Sequence, residues 1–255
     1  MYYRFSVDDN IWFLRDLTKG EYTSLFDHPY LRVYFDLHKK YNAKFQLNIY
    51  LETEGFDLSQ MTDKFKSEWE ENSDWLRLSF HARADAPDVP YMEASYEKAF
   101  TDADLVHREI IRFAGEKALE YCTTIHYCQA SPEAVRGFRD AGIFGLVGLF
   151  NDAPSCYGLA SGSFLEPYKY DEKTDIYYFN NDMIVNLFPL DVIVPRLENI
   201  KDKEFIEVMI HEQYFYEYFH MYQPDFADKV EACVKYLSES GRQSVFLDEL
   251  IIRKN

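Results

Sequence analysis

Phe5-Ser6-Val7-Asp8-Asp9-Asn10 closes the first apolar run of this 255-residue chain, and Ser79-Phe80-His81-Ala82-Arg83-Ala84-Asp85 closes a later one. Both read as β-strands that stop on carboxylate or imidazole side chains. A parallel α/β sheet collects its chemistry at the C-terminal ends of its strands, so two such endings predict an enzyme whose site is assembled from separate loops. Val208-Met209-Ile210-His211 repeats the pattern, and His126 in Thr124-Ile125-His126-Tyr127 adds another strand-end histidine.

Outward from these stretches, short apolar runs alternate with longer helical patterns, as in successive βα units. Strands are predicted at 2–7, 44–51, 75–80, 123–128, 143–149, 207–210 and 244–247. Helices are predicted near 30–41, 59–71, 102–121, 132–141 and 225–240. Ser131-Pro132 supplies a cap and a first-turn proline, and Gly142 a stop. The expected fold is a single α/β domain over 1–255, a closed or nearly closed barrel of about seven parallel strands. The segment 151–195 breaks the rhythm with Pro, Gly, Ser, Tyr and Asn. It is predicted to be a long aromatic-rich insertion on the strand-end face, with a hairpin from Tyr177 to Leu187 turning at Asn180-Asn181.

Composition narrows the function. A net charge of −17 repels phosphate backbones and anionic lipid, so neither nucleic acid nor a membrane is the expected partner. No run of 18 apolar residues spans a bilayer. Cys122, Cys128, Cys156 and Cys233 show no C-x-x-C pair, and Met1 leads directly into a strand. Free, buried thiols in a cytoplasmic protein are therefore expected. The 21 Tyr and 21 Phe must largely pack the core, yet tyrosine also suits a cleft that meets a sugar ring with an apolar face and a hydroxyl tip.

The strand-end residues supply the chemistry. Adjacent Asp8 and Asp9 point in different directions, so one can bind a metal while the other faces substrate as a base, although paired Asp after a strand is also a common turn. His81 and Asp85 can converge with Asp9 on a divalent ion, Zn²⁺ or another first-row metal in a hydrolytic role; alternatively they are a surface His beside a loop Asp paired with Arg83. His211 can protonate a leaving group, since the unperturbed pKa of a histidine side chain lies close to working pH. Arg83, Tyr127, Tyr157 and Tyr214 are the candidate substrate-binding residues. Tyr157, Phe164, Tyr168, Tyr170 and Tyr177 form a candidate substrate wall, or else a loop packed down by its own aromatics.

In order along the chain these motifs resemble the NodB-like polysaccharide deacetylases. Phe5 to Asn10 is similar to T-F-D-D-G, and His81 to Asp85 to H-[ST]-x-x-H with Asp for the second His. The run from Ile125 to Pro132 is similar to R-P-P-x-G, and Ile210-His211 to the late leucine-x-histidine. The resemblance spans roughly 1–215. It implies a distorted (β/α) barrel in which Asp8 is the base activating a water, Asp9 and His81 bind metal, Asp85 replaces the third ligand, and His211 is the acid. It further implies a hydrolase that removes an acetyl group from a small carbohydrate. Asn10 stands where the group has Gly, His126 where it has the Arg that orients the base, and the tryptophan of a fourth motif is missing from Leu149-Phe150-Asn151-Asp152. A neutral imidazole cannot replace the bidentate Arg, but His126 can be an extra metal ligand. Two other readings stay open: an inactive carbohydrate-binding relative, and a metal-free glycosidase pairing Asp8 with Glu212 or Asp85.

Overall fold

A computed structural model describes residues 1–151, 155–160 and 167–252. Seven strands form its frame: β1 (Tyr2–Asn10), β2 (Phe45–Tyr50), β3 (Leu76–Ala82), β4 (Cys122–Thr124), β5 (Gly145–Gly148), β6 (Ile176–Asn180) and β7 (Phe205–His211). They pair in parallel as two arcs, β7-β1-β2-β3 and β4-β5-β6. One gap is spanned by a lone parallel bridge from Leu78 to Leu119, and the other by Met183–Ile184, which follows β6 and pairs with β7. The result is a distorted (β/α) barrel with every strand end on one face.

Alternation along the strands explains why this sequence closes into a ring. Tyr3, Phe5 and Val7 of β1, Phe45, Leu47 and Ile49 of β2, and Ile206, Val208 and Ile210 of β7 are buried in the main apolar cluster. The intervening residues are also buried, yet polar: Arg4, Ser6 and Asp8, then Gln46 and Asn48, Ser79 and His81, Thr123, and Glu207. They meet across the interior, where Arg4 pairs with Glu207, Ser6 donates to Glu207 at 3.2 Å, and Gln46 donates to Ser79 at 2.7 Å. Most of their polar atoms satisfy one another, although Arg4 Nη2 and Glu207 Oε2 are buried without a hydrogen-bond partner.

Helices α1 (Trp12–Lys19), α2 (Pro29–Tyr41), α3 (Lys66–Glu71), α4 (Tyr96–Phe113), α5 (Pro132–Asp140), α6 (Leu190–Glu198), α7 (Phe226–Glu239) and α8 (Leu247–Ile252) surround the frame. The Ser131 hydroxyl accepts from Ala134 N and caps α5, and Asn42 ends α2 in the left-handed region. No described helix is long and apolar enough to cross a membrane. All four cysteines are free and buried.

Several expectations need correction. The strand read over 123–128 ends at Thr124 and gives way to a tight turn in which Tyr127 (φ 60°) and Cys128 (φ 54°) are left-handed. The strand read over 244–247 reduces to Gln243–Ser244 beside the start of β1, after which the chain becomes α8. The hairpin does not turn at Asn180-Asn181. Instead Lys169–Asp171 runs antiparallel to β6 around a turn whose Asp175 has φ 53°, and β6 itself pairs with β5. Its burial between neighbours outweighs the turn propensity of the asparagines that follow.

His107 gives the fold an acid-side weakness. On α4 it is 5% exposed, its Nδ1–H donates to Ala141 O at 3.1 Å, and burial pushes its pKa down to about 4. The folded state keeps the ring neutral, whereas the unfolded chain protonates it near pH 6.5. Stability is therefore untouched well above pH 6.5, falls as pH drops from about 6.5 to about 4, by ~3 kcal/mol in all, and levels off below. Thermal melts from pH 7 to 4 are expected to decline less steeply in His107→Leu than in the wild type.

Candidate metal centre and active-site cleft

The end of β1 is bent to present two carboxylates. Its register with β2 shifts between Val7 and Asn10, and Asp9 takes φ 63°. Asn10 pins this bulge: its Nδ2 donates to Val7 O (2.6 Å) and Asn48 O (3.1 Å), while Tyr30 donates its hydroxyl to Asn10 Oδ1 at 2.6 Å. A bulge re-aims side chains, and here it turns both Asp8 and Asp9 into one cleft of about 520 Å³. Asp9, Tyr127 and Cys128, all left-handed non-glycine residues, line this cleft. Backbone strain of this kind is held in place by its surroundings and concentrates at functional sites.

Asp9, His81 and His126 converge. Asp9 Oδ1 lies 3.0 Å from His81 Nε2 and 3.2 Å from His126 Nδ1, and those two nitrogens are 3.2 Å apart. The other nitrogen of each ring faces a backbone carbonyl, His81 Nδ1 to Thr124 O at 2.5 Å and His126 Nε2 to Asp85 O at 3.1 Å. A carbonyl only accepts, so those nitrogens carry the protons and both lone pairs point at each other and at the carboxylate. Facing lone pairs require a cation or a proton between them, and rings fixed through the opposite N–H to a carbonyl are the usual support of metal-binding histidines. One donor atom from each of the three residues lies within 4.8 Å of the others, so the residues present fit a metal ion. Where a proton rather than an ion fills that space, burial would raise the Asp9 carboxyl, but His211 nearby and the hydrogen bonds that protonated His126 and His81 then donate hold it well below the usual range. His81 is pushed up, because Asp8 and Asp9 outweigh the burial that would lower it.

The remaining candidates divide. Asp8 is buried and accepts from Asn48 Nδ2 at 2.5 Å. His211, opposite Asp8 in the β1–β7 register, has Nδ1 2.8 Å from Asn186 Oδ1, so Nδ1–H donates there and Nε2 is the ring nitrogen left to exchange a proton. Tyr127 and Tyr214 line the cleft. Asp85 lies at the rim with its side chain 76% exposed, 3.9 Å from His126 Nε2 and outside the three-residue cluster; its backbone oxygen bonds His126, and its carboxylate reaches only the Tyr50 hydroxyl at 3.3 Å. Arg83 points away, held by Glu52 at 3.0 and 3.1 Å and by Asp102 at 3.4 Å. Tyr157 is core, its hydroxyl donating to Val147 O at 2.7 Å. Both oxygens of Glu212 accept from the start of α1, from Ile11, Trp12 and Phe13 N at 2.7 to 2.9 Å, so Glu212 is not a free partner for Asp8.

The insertion lines the cleft through Ile184 and Leu187, whereas Tyr157, Tyr168, Tyr170 and Tyr177, expected to form its wall, do not. Tyr168 and Tyr170 pack on Tyr177 at 5.3 and 4.7 Å, and Phe164 falls outside the described residues. Ile184 and Leu187 line one side of the cleft, and Tyr214, Phe219, His220 and Met221 line another. The aromatic run Tyr214-Phe215-Tyr216-Glu217-Tyr218-Phe219 was the available signal for the second. Asn48 and Tyr50 were also missed. The Tyr50 hydroxyl donates to Asp9 Oδ1 and lies 3.0 Å from His126 Nδ1.

No family model and no curated protein matches the sequence. Solved structures do. A family 4 acetyl xylan esterase from Clostridium thermocellum, in complex with a cobalt ion, aligns over 100% of this chain and 92% of its own at 11% identity with a TM-score of 0.57. A mutant of a CE4 family pseudoenzyme with restored enzymatic activity aligns over 97% and 66% at 10% identity and 0.51. The 4-alpha-glucanotransferase from Thermococcus litoralis aligns over 96% of this chain and 39% of its own at 12% identity and 0.62. The chain thus has the fold of the CE4 polysaccharide deacetylases.

Proposed function

We infer that the protein is a metal-dependent hydrolase that removes an acyl group, acetyl in the simplest case, from a carbohydrate or amino sugar. The observation that carries this reading is the convergence of Asp9, His81 and His126 in a cleft that also holds Asp8 and His211. These three residues would hold a first-row divalent ion, with Zn²⁺ favoured by a donor set of two imidazoles and one carboxylate. Such an ion, when bound, makes water acidic enough to attack at neutral pH and polarises an acyl carbonyl.

The chain's own residues do the rest. Asp8, oriented by Asn48, takes the proton from the attacking water. His211, oriented by Asn186, delivers a proton from Nε2 to the departing nitrogen or oxygen. Tyr127, 52% exposed, and Tyr214 offer ring faces and hydroxyls to a sugar at the mouth of the cleft. The strongly negative surface favours neutral or cationic glycans over polyanions.

One observation favours a second reading, a carbohydrate-binding protein without turnover. The Tyr50 hydroxyl donates to Asp9 and satisfies its carboxylate in part without an ion. Metal analysis with a panel of acetylated sugars separates the two. The hydrolase is expected to purify with or take up about one metal ion, lose turnover in chelator and regain it with Zn²⁺. Sugar binding with neither metal nor turnover would establish the second reading, and turnover insensitive to chelator would sink the first.

A further inference from the structure

We propose that Asn48 is the positioning residue for Asp8, and that its direction is set by a one-way chain of hydrogen bonds starting at the buried Arg4. The proposal rests on the reading of Asp8 as the base. His126 is occupied at the metal cluster. Something else must hold the carboxylate.

The amide of Asn48 does so, and its orientation is not free. Asn48 Oδ1 accepts from Gln46 Nε2 at 2.8 Å and from the Ser79 hydroxyl, so its NH₂ group must face Asp8 Oδ1, 2.5 Å away. The Gln46 amide is fixed in the same way: Oε1 accepts from Arg4 Nε at 3.1 Å, leaving Nε2 to face Asn48, Ser79 and Cys122 O. Arginine has donors and no acceptor, so Arg4 can only begin such a chain. Arg4 is held by Glu207, which Ser6 also contacts. Arg4, Gln46, Asn48 and Asp8 are all buried, so water does not offer an alternative partner that would let either amide turn over. The guanidinium thus acts on the base through two neutral amides: it delivers a fixed donor rather than a second charge to the cleft.

Two variants test this with the full-length protein. Asn48→Leu keeps the volume and removes the donor. Gln46→Glu leaves Asp8 and Asn48 intact but puts acceptors against Asn48 Oδ1, which turns the amide so that its oxygen meets Asp8. In each, kcat on an acetylated sugar is expected to fall about 100-fold, as for a misplaced catalytic group, with KM and Zn²⁺ affinity by calorimetry unchanged. Crystal structures are expected to show the Asp8 carboxylate rotated from its wild-type position. A merely structural residue would lower the melting temperature without splitting kcat from KM. If Asn48→Leu does not fold, Gln46→Glu carries the test. Wild-type kcat and an unmoved Asp8 in a folded variant overturn the proposal. If the wild type has no hydrolase activity, the functional reading falls, and the Asp8 orientation in Gln46→Glu still decides whether the chain positions it.

Discussion

His126→Ala is expected to release the metal, lowering Zn²⁺ affinity by at least on the order of 100-fold and abolishing turnover with it. Asp85→Ala is expected to leave metal content at the wild-type level. The contrast follows from geometry: His126 Nδ1 stands 3.2 Å from both Asp9 Oδ1 and His81 Nε2, whereas the Asp85 carboxylate is at the solvent-exposed rim, 3.9 Å from His126, and the hydrogen bond to His126 comes to its backbone oxygen, which alanine retains. Calorimetric titration of metal-free protein with Zn²⁺ measures both. An Asp85→Ala protein that loses its metal while His126→Ala keeps it would restore the ligand set expected from motif order and remove the one read from the cluster.

Asp8→Asn should separate chemistry from metal binding. Asparagine matches aspartate in shape, and its own oxygen can still accept from Asn48, so the barrel interior is expected to remain packed. What it lacks is a basic carboxylate, and kcat is expected to fall on the order of 1000-fold with Zn²⁺ stoichiometry retained, within the range for loss of a general base. Equal kcat in wild type and variant would show that Asp8 is not the base. Loss of metal in Asp8→Asn would make Asp8 a ligand, since it is adjacent to Asp9 and opposite His211 in the strand register.

Much of this architecture was legible because strands and helices are written in local patterns. The strand endings at Asp8-Asp9, His81 and His211 were readable from apolar runs stopping on polar groups, and the structure places all of them at one cleft. The interior chain was written equally plainly in Phe45-Gln46-Leu47-Asn48-Ile49-Tyr50. Alternation alone assigns its polar set to solvent, whereas ring closure turns that set inward to meet Arg4, Ser79 and Asp8. The Asn-rich stretch after Phe179 carried a strong turn signal that was overridden because β6 completes an arc beside β5.

The sequence alone determined the α/β alternation, the order of the strand-end motifs and the residue types available for acid, base and ligand. Those depend on periodicities of a few residues and survive without knowledge of distant partners. Only the tertiary structure decided that His126 rather than the Asp85 carboxylate joins Asp9 and His81, that Tyr157 and Arg83 stand away from the cleft, and that Asn48 holds Asp8. Each of these turns on a bulge, a left-handed turn or a contact between strands tens of residues apart. Such angles and contacts are set when the ring closes, because a shift of one residue in register, or one left-handed φ, sends a side chain to the opposite face.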